Sequence, residues 1–265
     1  MKASIKLLCG AAALIAGVLS AQEAEVKDFV ANPALWQQKA PYIQKTDDGL
    51  LIKGRAMLTA PKFTIDPEKE YSLQLVVSAK HAENKASWVL AGYDVFDKNG
   101  RQITSSHVGA INGTLTTVAE DAPKGATVVK LKDGSKYRKG SAVLAFDAKE
   151  DFSDLPNFNI SSSVKSIAKQ GDVWEITLVS PLKKDIKAGT PVREHGQAGY
   201  LYVASPGVKA EPVSKTGTVK GIAQSGWGGG KWPAGAATAR FLILVDWSNV
   251  PNMETLFKTI TLTVK

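Results

Sequence analysis

From residue 50 onward, apolar and polar positions alternate in short runs broken by Gly, Asn, Asp and Pro. A period of two predicts half-buried strands. The first runs are Leu50–Lys53, Met57–Leu58, Tyr71–Ala79, Trp88–Phe96 and Arg101–Thr104. Between the last two, Asp97-Lys98-Asn99-Gly100 predicts a hairpin turn, because Asn and Gly both tolerate positive φ. The same tetrapeptide could open a calcium loop, but the later ligands of such a loop are missing. One short helix is predicted upstream, with Asn32 as its cap, Pro33 in its first position and Pro41 ending it soon after Trp36 and Gln37.

The middle of the chain has a different texture. Thr127–Leu131, Ser141–Phe146, Val164–Ile167, Val173–Val179 and Thr190–Arg193 are short and closely spaced. Turns at Asp133-Gly134, Lys139-Gly140, Gln170-Gly171-Asp172 and Ala188-Gly189 separate them, with a longer loop through Asp151–Asn159. Small strands at this density can close a compact barrel of their own. Longer runs then return at Tyr200–Ala204, Thr216–Ile222, Ala239–Trp247 and Leu256–Val264. No helices of 10–15 residues separate the strands, which argues against parallel βαβ units. The pattern predicts an all-β chain in which a sandwich, 22–123 and 196–265, is interrupted by a small inserted β-barrel, 124–195. The polar, turn-rich stretches at Pro123-Lys124-Gly125 and Gly196-Gln197-Ala198-Gly199 are expected to lie together where the insertion leaves and rejoins the sandwich.

Composition narrows the setting. The 265 residues are 44% hydrophobic and 22% charged, which excludes a disordered tail or a collagen-like fibre. Residues 1–21 read as an export signal: Lys2 and Lys6, an apolar run from Leu7 to Leu19, then Ser20 and Ala21 before the polar stretch from Gln22. That run is short for a membrane span, which needs about 20 residues. Cys9, the single cysteine, lies in this segment without the small residues that lipoprotein processing uses. Removing 1–21 takes away Lys2 and Lys6 and no acidic residue, so the formal charge falls from +8 to +6 and no cysteine remains. A secreted or periplasmic protein with no membrane span is expected. Lys130, Lys132, Lys136, Arg138 and Lys139 form the densest basic stretch, either a solvated strand face or a weak attraction for anionic polysaccharide, mucin or a membrane surface.

Several stretches resemble a known pattern. Ala60-Pro61-Lys62-Phe63, Glu70–Ala79, Gly92-Tyr93-Asp94-Val95-Phe96-Asp97 and Arg101-Gln102-Ile103 resemble the front half of the galactose-binding-like jelly-roll domains, which include many carbohydrate-binding modules. Trp232-Pro233, Ala239–Val245 and Phe257-Lys258-Thr259-Ile260-Thr261-Leu262 resemble their last two strands. The resemblance implies a jelly-roll sandwich. Within the insertion, Gly125–Asp133, Tyr137–Gly140, Ile176–Leu178 and Ala188–Val192 resemble small barrel segments of large extracellular bacterial proteins, which implies nothing catalytic.

Catalytic motifs are scarce. No Gly-x-Ser-x-Gly elbow or His-Glu-x-x-His pair occurs. His81, His107 and His195 are far apart and read as surface or loop residues. Gly226-Trp227-Gly228-Gly229-Gly230-Lys231 has three residues between its outer glycines and Trp232 after the lysine, so it is not a phosphate-binding P-loop. Asp94, Asp97, Glu120, Asp121, Asp246 and Glu254 could supply a carboxylate pair, or serve as solvated strand ends and turns. No catalytic residue, cofactor or nucleic-acid partner is expected, and metal binding stays open. Aromatics remain. Trp227 and Trp232, in a Gly-rich loop, are expected either to contact ligand or to pack over the sandwich end, whereas Trp88 and Trp247 read as core. Tyr200 and Tyr202 read as one strand face, lining a concave surface or covered by the insertion. The expected function is binding of glycan or cell-surface polysaccharide through Trp227, Trp232, Tyr200 and Tyr202. The alternatives are a structural or adhesion subunit docking on an envelope protein, or a glycan hydrolase.

Overall fold

A computed structural model describes residues 24–37 and 43–265. The predicted export signal, with Cys9, and the helix-ending Pro41 lie outside these residues. The chain is all-β, with a sandwich of two antiparallel sheets. The first has the order Val213–Val219, Tyr71–Lys80, Glu254–Val264, Gly49–Lys53, Ile43–Thr46, with Glu25–Asp28 also paired to Glu254–Val264. The second runs Leu201–Ala204, Leu90–Phe96, Thr238–Val245, Ala56–Thr64, with Gln102–Ile103 on Leu90–Phe96. From Gly49 the chain changes sheet at almost every strand. It stays in one sheet between Leu90–Phe96 and Leu201–Ala204, neighbours in register at Tyr93 and Leu201. This is jelly-roll topology, with the insertion carried on that one connection.

Alternation fills the space between the sheets. Tyr71, Leu73, Leu75, Val77 and Ala79 point inward along one strand, and Ala91, Tyr93 and Val95 meet them from the other sheet. In Glu254–Val264 the register shifts between Phe257 and Thr259. The inward series therefore passes from Thr255 and Phe257 to Ile260 and Leu262, as a bulge that adds one residue requires. The short helix is a single 3-10 turn, Pro33–Leu35. Asn32 makes no side-chain cap, and the Asp28 carboxylate instead accepts from the Val30 and Ala31 amides.

The insertion is a second β-unit with its own interior. Its strands run Val128–Leu131, Val173–Leu178, Ile160–Gln170, Gly140–Phe146, Pro191–Gly196, Thr116–Thr117. Backbone bonds from Ala119 N to Lys130 O (2.8 Å) and Lys132 N to Thr117 O (3.0 Å) join the last strand to the first and close a small barrel. Val129, Leu131, Leu144, Phe146, Ile176 and Val192 fill it, together with Val118 and Ala122. Those two residues put the barrel's start upstream of residue 124. The neck accordingly lies elsewhere than at Pro123-Lys124-Gly125. It joins Ser105–Ile111 to Glu194–Ala198: Ile111 N donates to Glu194 O, Gly196 N to Gly109 O, and Ser105 Oγ to Ala198 O.

Two kinds of contact fix the barrel on the sandwich. An apolar seam packs Leu155, Phe158 and Trp227 against Ile103, Val108 and Ala234. Beside it lies a buried polar network. His195 Nε2 accepts from Arg193 Nε at 3.2 Å, which places its proton on Nδ1 for the Ser106 carbonyl at 2.8 Å. Arg193 also pairs with Asp154 at 2.9 Å, both side chains being buried. His195 is therefore a buried structural residue and not the surface residue expected. Pairing puts it on an interior strand facing the neck.

Candidate ligand-binding surfaces

The jelly roll gives the sandwich two ends with different loops. The insertion and the Gly-rich loop occupy one. The connections at 53–56, 81–88, 205–207 and 246–253 occupy the other.

At the insertion end, the Gly-rich loop folds down over the sandwich. Trp232 N donates to Gly221 O and Ala223 N to Trp232 O, pinning the loop's two sides. Gly226, Gly228, Gly229 and Gly230 all have φ between +68° and +95°, the left-handed region that glycine enters freely. The tight return drops Trp232 into the core with 0% exposure, its ring 4.8 Å from Tyr93 and 5.2 Å from Tyr71. A ligand could reach it only by unpacking that cluster, so Trp232 is a core residue and not a contact residue. Trp227 is half-buried against both the sandwich core and the seam. It also forms one wall of an open cleft of about 420 Å³ between sandwich, neck and barrel.

Tyr200 and Tyr202 do not share a strand face. Tyr200 precedes the strand Leu201–Ala204, and Tyr202 pairs with Gly92 in it. The rings meet edge to face at 6.2 Å, and burial raises the Tyr202 hydroxyl pKa above its usual range. Neither lines the cleft, to which this stretch contributes Gly196, Gln197 and Ala198.

The far end holds the residues that sequence reading placed in the core. Trp88 is 51% exposed and Trp247 45% exposed. Their backbones touch, with Trp247 N donating to Trp88 O at 2.9 Å. The cause lies beneath them. Asp246, fully buried with φ +50°, accepts from Ser87 Oγ at 2.5 Å and from Val250 N at 3.1 Å. One carboxylate thus ties together the residues immediately before each tryptophan. The Arg55 guanidinium lies 4.1 Å over the Trp247 ring, a cation–π contact that holds the indole while leaving part of it bare. Gly54 N donates to Met253 O and His81 Nε2 meets Pro251 O at 3.1 Å, so the three loops brace one another.

Alternation carried the signal for Trp88. Val89, Ala91, Tyr93 and Val95 form the inward series, which puts Trp88 on the opposite face. Trp247 lies beyond the end of Thr238–Val245, in the turn of Asp246-Trp247-Ser248-Asn249.

The Asp97–Gly100 segment is the predicted turn. Asp97 Oδ1 accepts from the Asn99 and Arg101 amides, and its Oδ2 pairs with Arg101 Nε at 2.8 Å. Asp94 is likewise engaged, by Gln102 and Arg240. Among the described residues, no three His, Cys, Asp or Glu side chains form a group that could hold a metal, and no helix is long and apolar enough to cross a membrane. Comparison of the chain with known protein families, curated proteins and solved structures returns no match.

Proposed function

We propose that this protein is an exported, non-catalytic module that binds glycan through the Trp88–Trp247 end of its sandwich. One observation carries the reading: two half-exposed tryptophans, joined by the Trp247 N–Trp88 O bond, stand over a buried Asp246–Ser87 anchor. An exposed apolar group gains nothing in water, so an arrangement that fixes two of them together marks a contact surface. Sugars offer flat C–H faces to such rings, while their hydroxyls need polar neighbours. The Arg55 guanidinium provides one beside the Trp247 indole. Indoles combine large, rigid area with low entropic cost on binding. Export rests on the pattern of residues 1–21.

A glycan array probed with the wild type, Trp88→Ala and Trp247→Ala tests the proposal. Each substitution is expected to weaken the best glycan by about 1–3 kcal/mol, the range of an interface hot spot. Capture of an envelope protein with no glycan hit would favour the adhesion-subunit reading instead.

A further inference from the structure

The cleft at the junction of sandwich and barrel is separate from the Trp88–Trp247 end and has its own chemistry. Its walls come from three parts of the chain: Trp227 from the Gly-rich loop, Gly109–Ile111 and Gln197 from the neck, and Arg138 and Ser141 from the barrel. At about 420 Å³ it falls within the ~300–1,000 Å³ typical of small-molecule sites. No acidic side chain lines it.

Arg138 is held in an unusual way. The Glu194 carboxylate, fully buried, accepts from Arg138 N at 2.8 Å and from Arg138 Nε at 2.9 Å. The guanidinium itself is largely exposed. One edge is therefore consumed by an immobile partner, which fixes the plane of the group. Among the described residues, Nη1 and Nη2 have no hydrogen-bond partner. Two parallel N–H groups on a plane already oriented match a carboxylate, and the ordering cost is met by the fold before a ligand arrives.

The other polar groups of the cleft are also unspent donors. Gln197 uses its side-chain oxygen to accept from Ser163, and its NH₂ has no partner among the described residues. Among the described residues, Ser141 Oγ and the Trp227 indole N–H have no hydrogen-bond partner. Ser105, in contrast, spends its hydroxyl on both the N–H and the carbonyl of Ala198. A donor-rich cleft with one anchored guanidinium and one indole wall suits an acceptor-rich ligand that has a flat apolar face and an acidic group.

We propose that this cleft is a second binding site, selective for a carboxylate-bearing sugar of one or two rings, with Arg138 holding the carboxylate, Gln197 and Ser141 the hydroxyls, and Trp227 the ring face. The inference stands independently of the glycan reading for the far end, since no residue is shared between the two surfaces.

Calorimetric titration of the full chain with glucuronate and galacturonate, against glucose, galactose and acetate, provides the test. At least one uronate is expected to bind saturably, with its neutral counterpart and acetate each weaker by about tenfold or more. Arg138→Lys keeps a cation over Glu194 but loses the fork, and should weaken uronate binding by about tenfold. Gln197→Ala and Ser141→Ala remove exposed donors without touching Glu194, so they keep the test valid if Arg138→Lys does not fold. Each should weaken binding several-fold. All titrations are repeated in the Trp88→Ala background, which removes an indole of the other end, so that sugar bound there is not counted for or against this cleft. Neutral sugar or acetate binding as tightly as uronate would overturn the proposal. So would uronate affinities indifferent to Arg138→Lys, Gln197→Ala and Ser141→Ala, or no saturable binding up to about 10 mM.

Discussion

The two ends of the sandwich carry tryptophans under opposite regimes. At the insertion end, a loop with four left-handed glycines folds back on itself, and Trp232 becomes the most enclosed indole while Trp227 stays half covered. At the far end, Trp88 and Trp247 adjoin ordinary strands and yet stand in solvent over a buried carboxylate. Glycine-rich surroundings therefore did not mean exposure, because φ freedom permits a tight return as readily as a floppy one. Parity decided Trp88, which lies on the outward face of its strand, whereas backbone bonds within the turns decided Trp232 and Trp247.

The contrast is most easily broken at Trp232. Trp232→Ala should cost about 3–5 kcal/mol in chemical denaturation, the usual consequence of emptying a buried aromatic site. Binding at the far end should be untouched in the fraction that folds. A loss below about 1 kcal/mol would mean that the loop does not bury the indole.

The second largest effect concerns the barrel's attachment. His195 is held neutral, with its pKa lowered from 6.5 to about 4, chiefly by burial and with Arg193 adding to the effect. The unfolded chain therefore takes up a proton that the folded chain resists between these values. Stability from this residue is complete above pH 6.5 and falls as pH drops towards 4, by about 3 kcal/mol at 1.36 kcal/mol per unit. Asp154 works within the same network. Burial alone would raise its carboxyl, but bonds from Asn157, Lys149 and Arg193 outweigh this and hold it below its usual value, so its contribution is lost at still lower pH. Urea unfolding at pH 7, 5.5 and 4 checks the loss from His195. His195→Gln should flatten the slope between pH 6.5 and 4.

Much of the architecture was legible because alternation reports which face of a strand is covered. Tyr71–Ala79 shows this directly, as five inward positions follow from one pattern of period two. The barrel was legible as a denser succession of strands and turns, although its strand Ile160–Gln170 is as long as any in the sandwich, and its start was not legible. Val118 and Ala122 enter its core from a segment whose strand is only Thr116–Thr117, too short to show a period. The site was less legible still. Trp88 and Trp247 become neighbours through a bond between residues 159 positions apart, Ser87 and Asp246, and no local signal reports such a meeting. Arg138 illustrates the same limit. Within its sequence it is one member of a basic stretch, and only the fold places Glu194 beneath it.

A smaller effect is expected at the anchor. Asp246→Ala leaves the Ser87 hydroxyl and the Val250 amide without their acceptor, which should cost about 1–3 kcal/mol. Glycan affinity should fall with it, although the substituted side chain is itself buried and touches no ligand. Retained affinity would mean that the two indoles hold their places without the carboxylate. Trp88→Ala and Trp247→Ala should be the mildest for stability, within about 1 kcal/mol by thermal unfolding, because each indole is already half in water.

The central claim is that the Trp88–Trp247 end, and not the Gly-rich loop, receives glycan. Nuclear magnetic resonance of the indole N–H groups tests it most directly, since the chain has only six tryptophans. Before ligand is added, Trp36 and Trp232 should exchange slowly, being buried, while Trp88 and Trp247 exchange at once. On titration with the best neutral glycan from the array, Trp88 and Trp247 should shift together with the dose and Trp232 should not move. Shifts confined to Trp227, with Trp88 and Trp247 unchanged at saturation, would contradict the account.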